Sequence, residues 1–173
     1  MRYTHLLLLA GALSVAACSG KDESQEAAQA AEPKSLLERE RSQAESTLTA
    51  DEALHEFGEI PIDGGDVTTT FTLTNSGQSR ARVVAVYTSC GCTTAALEFT
   101  DGTTVGPFGM PGHGDMPELD RAIEPHESFR VQVTFDPAAH GPQGLGSIMR
   151  AVNVHTRDGG TTELRITAQV VRL

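Results

Sequence analysis

Two cysteines one residue apart, Cys90 and Cys92, are the side chains best suited to chemistry in this sequence. They lie in the run Ser89-Cys90-Gly91-Cys92-Thr93, directly after an apolar stretch typical of a β-strand. Side chains at positions i and i+2 of an extended strand share a face, and the glycine between them lets the chain turn sharply. Both sulfurs can therefore converge on a metal ion or a third thiol; the alternative is a pair of free, partly buried thiols that bind nothing and mainly pack. A disulfide between them would close a small, strained ring that is easily reduced.

A second group of soft donors follows in a loop rich in glycine and proline. Met110 and Met116 flank His113, and the loop has no periodic apolar face on which methionine would serve as core filler. Thiolate and thioether ligands select Cu(I), and imidazole also suits copper. We therefore predict a copper site with Cys90 and Cys92 as primary ligands and with Met110, His113 or Met116 closing over the ion. The alternative is a surface loop in which methionine and histidine coincide by chance.

Four other histidines, His55, His126, His140 and His155, lie within the predicted domain. His126 directly precedes a predicted strand and is a further candidate ligand for the metal. His55 lies in the first predicted strand, His140 in a turn and His155 on the polar side of a strand, so we interpret these three as structural.

Catalytic motifs are absent from the sequence. It contains no Gly-x-Ser-x-Gly, no His-Glu-x-x-His and no phosphate-binding glycine loop. It also lacks the Cys-x-x-Cys and βαβ pattern of thioredoxin-like proteins. We therefore expect that the protein is not an enzyme, although a Cys–His nucleophile formed by residues distant in sequence stays open.

The net charge argues against two classes of binding partner. The 173 residues include 23 acidic and 13 basic side chains, giving a net charge of −10. Binding to nucleic acid requires Lys and Arg to neutralise phosphates, and electrostatic adhesion to anionic lipid requires the same residues. Both are therefore disfavoured, and the length indicates one domain with appendages.

The N-terminus predicts export and a lipid anchor. An uncharged run ends in Val15-Ala16-Ala17-Cys18, which matches a lipobox, so residues 1–17 are interpreted as a lipoprotein signal peptide and Cys18 as the lipidated residue. Acyl chains on Cys18 would hold the protein on a membrane. Ser19 favours the outer membrane of the bacterial cell envelope, with the domain facing the periplasm or the cell surface. The alternative is an ordinary signal peptide with an incidental cysteine.

The elements that must position the cysteines follow a β pattern. Residues 18–52 are rich in Ala, Gln, Glu and Ser, which predicts a flexible tether. From there, apolar residues alternate with polar ones, as in Val67, Phe71 and Leu73, and turn signals separate the runs. We predict that residues 53–173 form an all-β fold, an immunoglobulin-like antiparallel β-sandwich of about seven strands.

Four short motifs in this order resemble a bacterial family known as domain of unknown function 1573. They are His55-Glu56-Phe57-Gly58, Asn75-Ser76-Gly77, Ser89-Cys90-Gly91-Cys92-Thr93 and Phe135-Asp136-Pro137. That family is similar to the immunoglobulin-like domains of the ASPM, SPD-2 and hydin type, and most of its members are exported. The resemblance implies the fold and leaves the activity open.

Two features depart from the family pattern. The run Ile123-Glu124-Pro125-His126 has histidine where such domains usually place glycine. The path from Thr94 to Ile123 is longer than the usual connection, so we predict an inserted loop at about residues 99–122. Long loops within compact domains are commonly functional or disordered.

Three classes of function remain at this stage. The first is an exported, membrane-anchored lipoprotein that binds copper. The second is a scaffold or adhesion module of the cell envelope, and the third is a periplasmic thiol-redox protein. A protein partner in the envelope is compatible with each, and the sequence does not identify one.

Overall fold

Alternating apolar side chains build a set of short strands in the computed structural model, which describes residues 46–113 and 116–172. The signal peptide 1–17, Cys18 and most of the predicted tether lie outside the described residues. The strands are β1 Leu48–Ala50, β2 Leu54–Pro61, β3 Val67–Asn75, β4 Ala81–Thr88, β5 Thr93–Glu98, β6 Thr104–Phe108, β7 Arg121–Ile123, β8 Ser128–Phe135, β9 Gly146–Thr156 and β10 Thr161–Val171. One 3₁₀ turn, Gly141–Gly144, lies between β8 and β9.

The strands form two five-stranded sheets. One sheet has the order β1-β3-β8-β5-β6, and the other has the order β2-β10-β9-β4-β7. Neighbouring strands are antiparallel except for β2, which lies parallel to β10. The predicted immunoglobulin-like β-sandwich is confirmed, and its seven longer strands match the predicted number. Three short strands, β1, β6 and β7, add to them.

The core lies between the sheets and consists of the inward-facing residues of each strand. Phe71 and Leu73 of β3 pair with Val131 and Phe129 of the neighbouring strand β8, and all four are buried. The opposite sheet contributes a matching row from β9 and β10, including Val152, Val154, Leu164 and Ile166. Burial of each such side chain contributes roughly 1.5–3 kcal/mol to the gross stabilisation.

The start of the domain requires a correction. The tether was predicted to run to residue 52, but β1 lies within it and pairs with β3. Leu48 is 2 % exposed, and its carbonyl accepts a hydrogen bond of 2.8 Å from the Thr162 hydroxyl. A three-residue strand with one buried side chain has no alternation that a sequence pattern can detect.

The predicted inserted loop at about residues 99–122 also contains regular structure. The strand β6 pairs with β5, and β7, which begins at Arg121, pairs with β4. Each of these strands is anchored by one buried residue, Phe108 in β6 and Ile123 in β7. The segment therefore widens both sheets instead of forming a single open loop.

A buried asparagine fixes the turn that follows β3. Asn75 is fully buried, and its side-chain amide donates to the carbonyls of Ser79 and Ile123 at 2.9 and 3.0 Å. Its side-chain oxygen accepts the Gly77 amide at 3.1 Å, which confirms the predicted turn at this position. Because every polar atom of the buried amide is paired, burial of Asn75 carries no uncompensated desolvation cost.

Across the described ranges, 46–113 and 116–172, we find no helix with the length and apolar character needed to cross a bilayer.

Candidate metal centre

The two cysteines lie in the tight turn that joins β4 to β5. The Cys90 carbonyl accepts hydrogen bonds from the Thr93 amide at 3.2 Å and from the Thr88 hydroxyl at 3.0 Å. Gly91 is exposed, does not adopt a positive φ, and has open space where a Cβ would lie. The turn thus depends on its hydrogen bonds, and the bare glycine leaves the approach to the sulfurs open.

Cys92 marks the point where the turn enters the core. It is 4 % exposed, and its carbonyl accepts the amide of Asp136 at 2.9 Å. The next residue, Thr93, pairs with Phe135 at the end of β8. This pairing brings the segment that follows β8 to the cysteine turn.

His140 lies in that segment, at the start of the 3₁₀ turn. Its Nε2 atom is 3.1 Å from Cys90 Sγ, and the side chain is exposed. The preceding turn is held by the Ala138 amide, which donates to Asp136 Oδ1 at 2.8 Å, and by the Gly141 amide, which donates to the Ala138 carbonyl at 2.8 Å. The imidazole is therefore presented by a hydrogen-bonded turn.

Arg150 of β9 contacts the second sulfur. Its Nε donates to Cys92 Sγ at 3.2 Å, and one terminal nitrogen donates to the Met149 carbonyl at 2.9 Å. The strand is fixed beside the cysteine turn by two hydrogen bonds between Ser89 and Ala151, each of 2.9 Å. A guanidinium at this distance stabilises the anionic form of a thiol sulfur.

These contacts assemble a cluster of three donors, Cys90 Sγ, Cys92 Sγ and a nitrogen of His140, all within 4.8 Å of one another. Cys90 Sγ also accepts the Cys92 amide at 3.4 Å. Within residues 46–113 and 116–172, no other group of three or more His, Cys, Asp or Glu side chains converges in this way. The donor set is soft, because it contains two sulfurs, one imidazole and no carboxylate.

The loop predicted to close over the ion runs beside the cysteine turn. The Thr88 amide donates to the carbonyl of Gly109 at 3.2 Å, so Met110 follows a residue that is bonded to the end of β4. Met110 is half-buried, whereas His113 is exposed in a turn closed by its own amide and the Met110 carbonyl at 3.0 Å. His113 does not belong to the three-donor cluster.

Met116 has a different environment from the one expected. It is half-buried, packs against the hydrophobic core and lines a surface cleft together with Val84 and Leu119. The expectation that core packing explains this methionine poorly was wrong, because β7 and the residues before it fold back over β4.

His126 also lies outside the cluster. It adopts a φ of 65° in the turn between β7 and β8, where its amide donates to the Asn75 carbonyl at 2.8 Å. A left-handed conformation is the conformation that glycine adopts without strain, which accounts for the glycine that related domains usually place here. His126 is therefore a turn residue in this structure.

The remaining histidines have local environments on the sheets. His155 Nδ1 lies 2.9 Å from the Thr161 hydroxyl, its ring is tilted against Tyr87, and partial burial lowers its pKa below the ordinary value. His55 makes an edge-on contact with Phe57. Neither joins the cysteines.

Two residues of the cluster region were not among the predicted ligands, since His140 was interpreted as structural and Arg150 was given no role. Arg150 carried a signal, because it shares its strand face with Ile148 and Val152, which are both buried. A charged residue in an apolar row requires a partner. His140 carried no comparable signal, since its approach to Cys90 depends on the pairing of β5 with β8, which links positions distant in sequence.

Comparison with known families agrees with the motifs. Residues 48–103 match the model of the family described as protein of unknown function DUF1573. The resemblance to this family is confirmed. The matched residues run from β1 through the cysteine turn to the end of β5. No curated protein shows significant similarity to the chain.

Solved structures share the fold at low sequence identity. A protein of unknown function from Porphyromonas gingivalis W83 is 16% identical, with a TM-score of 0.50 over 71% of this chain and 46% of its own. The chain therefore spans about half the length of that protein. The PapD-like domain 7 of human CEP192 is 14% identical, with a TM-score of 0.41 over 75% of this chain and 88% of that domain. The VesB protease of Vibrio cholerae is 16% identical, with a TM-score of 0.46 over 78% and 35%.

Proposed function

We propose that this immunoglobulin-like domain binds a soft metal ion, Cu(I), through Cys90, Cys92 and His140. One observation carries the proposal, namely that the three donor atoms lie within 4.8 Å of one another. Thiolate ligands favour Cu(I), zinc and iron–sulfur clusters over hard cations, and imidazole is compatible with copper. The absence of carboxylates from this cluster argues against the hard cations Mg²⁺ and Ca²⁺, which prefer oxygen ligands. The role proposed is binding, not catalysis.

The number of donors also bears on the choice of metal. A closed structural zinc site uses four protein ligands, and the cluster provides three. Gly91, between the two cysteines, has open space where a Cβ would lie, so the site leaves room for a further ligand. Met110 is the candidate to supply this ligand, because its neighbour Gly109 is hydrogen-bonded to Thr88. His113 would have to leave its exposed turn to do the same.

The site belongs, in this proposal, to an exported protein held on the bacterial outer membrane by acyl chains on Cys18. The lipobox Val15-Ala16-Ala17-Cys18 supports this part of the proposal. Replacing Cys18 by serine should move the protein from the detergent-soluble membrane fraction to the aqueous fraction of the expressing bacterium. Retention of the Cys18→Ser variant with the membranes would rule out the anchor.

The copper proposal is tested by competition against a chromophoric Cu(I) chelator under reducing conditions. The Cys90→Ser/Cys92→Ser double variant should lose affinity by several orders of magnitude, because both soft ligands are removed. His140→Ala should lose about 10- to 100-fold, as expected for an imidazole that orients or completes a site. His155→Ala, a histidine on the opposite side of the β9 backbone from Arg150, is the matched control and should bind like the wild type. Equal affinity of the wild type and the double cysteine variant would exclude the site.

Thiol–disulfide exchange is the second candidate function. It is favoured by the contacts of Arg150 with Cys92 and of His140 with Cys90, because the thiolate is the attacking species in exchange. The two thiols would give up two electrons and two protons to a partner disulfide, which would be reduced to a dithiol. Equilibration with glutathione buffers tests this. A defined redox potential within the range of known exchangers, together with no Cu(I) affinity, would favour exchange. A protein that shows neither such a potential nor Cu(I) affinity would instead be an envelope scaffold or adhesion module.

A further inference from the structure

We infer that Arg150 makes the cysteine site selective for a monovalent over a divalent cation. The inference rests on the proposed function, since it concerns which metal the same three donors retain. Arg150 would act as a positioning and charge-balancing residue and not as a ligand, because a guanidinium has no lone pair to offer a metal.

The position of Arg150 in β9 is the first observation. Its side chain occupies the inward-facing row of the strand, between the buried residues Ile148 and Val152. An ion in such a row is costly unless it is paired. Among the residues described, Arg150 forms no salt bridge with a carboxylate, unlike Arg82 and Arg165. Arg150 instead contacts the sulfur of Cys92, which would supply the balancing negative charge as a thiolate ligand.

The direction of the guanidinium is the second observation. Its Nε is committed to Cys92 Sγ at 3.2 Å, and one terminal nitrogen is committed to the Met149 carbonyl at 2.9 Å. Two hydrogen bonds from one planar group fix its orientation. The positive charge is therefore held beside the Cys92 sulfur and does not move freely in solvent.

The charge balance of the loaded site then depends on the metal. Two thiolates and one Cu(I) carry a net charge of −1, which the guanidinium neutralises. Two thiolates and one Zn(II) are neutral, so the guanidinium would leave a net charge of +1. Because Cys92 is buried and Arg150 is half-buried, an unbalanced charge at this place is penalised more than at the surface. The arrangement therefore favours the monovalent ion.

The test compares affinities for Cu(I) and Zn(II) in the full-length protein and three variants, each ion being measured by competition against its own chelator. In Arg150→Met, which keeps the length of the side chain and removes its charge, Cu(I) affinity should fall by about 10- to 100-fold. Zn(II) affinity should stay the same or rise, so the ratio of Cu(I) to Zn(II) affinity falls at least as far. Arg150→Lys should preserve most of the ratio, because it preserves the charge. Arg165→Met, at an exposed arginine of β10, should leave both affinities unchanged.

The results distinguish a failure of the Arg150 inference from a failure of the Cu(I)-binding proposal. Wild-type protein that fails to bind Cu(I) would overturn both. Wild-type protein that binds Cu(I), with a ratio that Arg150→Met does not change, would overturn the role of Arg150 alone. A variant that loses affinity for both ions to the same extent would also overturn it, since that is the effect of a merely structural residue. Far-ultraviolet circular dichroism of each variant establishes that the fold is retained.

Discussion

At the scale of single residues, Arg121 controls the ionisation of Asp101 in the turn between β5 and β6. Its guanidinium lies 2.5 Å from one carboxylate oxygen, and the Thr103 amide donates to the other at 2.9 Å. These contacts, the arginine first, lower the pKa of Asp101 to about 2. The same guanidinium lies over the ring of Phe99, 4.4 Å from its centroid, which holds it in place.

Arg121→Met should therefore raise the pKa of Asp101 toward its ordinary value of 3.8. Because the folded-state pKa is depressed, the stabilisation from this pair is present above pH 3.8 and is lost as the pH falls through about 2. Titration of the Asp101 carboxyl carbon by NMR measures the midpoint directly. Arg80→Met, at another surface ion pair, should leave that midpoint unchanged. A midpoint that is the same in wild type and Arg121→Met would show that the amide of Thr103 alone sets it.

At the scale of elements, the turn between β7 and β8 carries a histidine in a conformation that suits glycine. His126 has a φ of 65°, and its amide is bonded to the carbonyl of the buried Asn75. A side chain in the left-handed region costs roughly 1–2 kcal/mol per residue. The surrounding hydrogen bonds hold the residue there in spite of this cost.

His126→Gly should accordingly raise the free energy of unfolding by about 1 kcal/mol, measured by urea denaturation. His126→Ala is the control, because it removes the imidazole and keeps the Cβ that causes the strain, so it should give no such gain. An equal change in both variants would mean that the imidazole, not the backbone, is responsible. Cu(I) affinity should be unchanged in both, since His126 does not belong to the cluster.

The elements differ in how far the sequence predicts them. Strands such as β3 and β8 alternate over eight or nine residues, so their existence and inward faces could be predicted. The short strands β1, β6 and β7 could not, since each is anchored by one buried side chain. The parallel pairing of β2 with β10 could not be predicted from local sequence either, because it joins strands near the two ends of the domain.

At the scale of the whole molecule, the domain begins earlier than its composition indicates. Leu48 is buried and anchored to β3 and to Thr162, although the residues around it resemble the polar segment before them. A leucine in a flexible tether would make no packing contacts, so shortening it would cost no stability. The same residue in the core leaves a cavity when it is shortened.

Leu48→Ala should therefore lower the free energy of unfolding by about 2 to 5 kcal/mol. Leu54→Ala is the matched control, because Leu54 is 40 % exposed, and its cost should stay below about 1 kcal/mol. Thermal and urea unfolding of the two variants against the wild type give the comparison. If Leu48→Ala has a negligible effect on the free energy of unfolding, residues 48–50 belong to the tether and not to the domain.

The candidate site follows the same division between local and distant information. Cys90 and Cys92 could be identified from one pentapeptide, because their spacing alone puts two sulfurs close together. His140 and Arg150 could not be joined to them without the sheet topology, since β8 and β9 deliver them from fifty or more residues away. The neighbouring loop offered donors of the right chemical type, but its Met116 packs against the hydrophobic core and lines a surface cleft.

The parallel pairing of β2 with β10 sets the order in which the sandwich can assemble. The residues of β2 find their partners in β10 more than a hundred positions later, at the end of the described domain. Contacts of such long range slow the folding of β-proteins, because the entropy of closing the loop is lost before the contact stabilises the chain. The strand β2 therefore stays unpaired until β10 is available, whereas the hairpin of β9 and β10 can form from local contacts. The donors of the metal site depend on the pairing of β5 with β8, so they can come together before the first and last long strands have met.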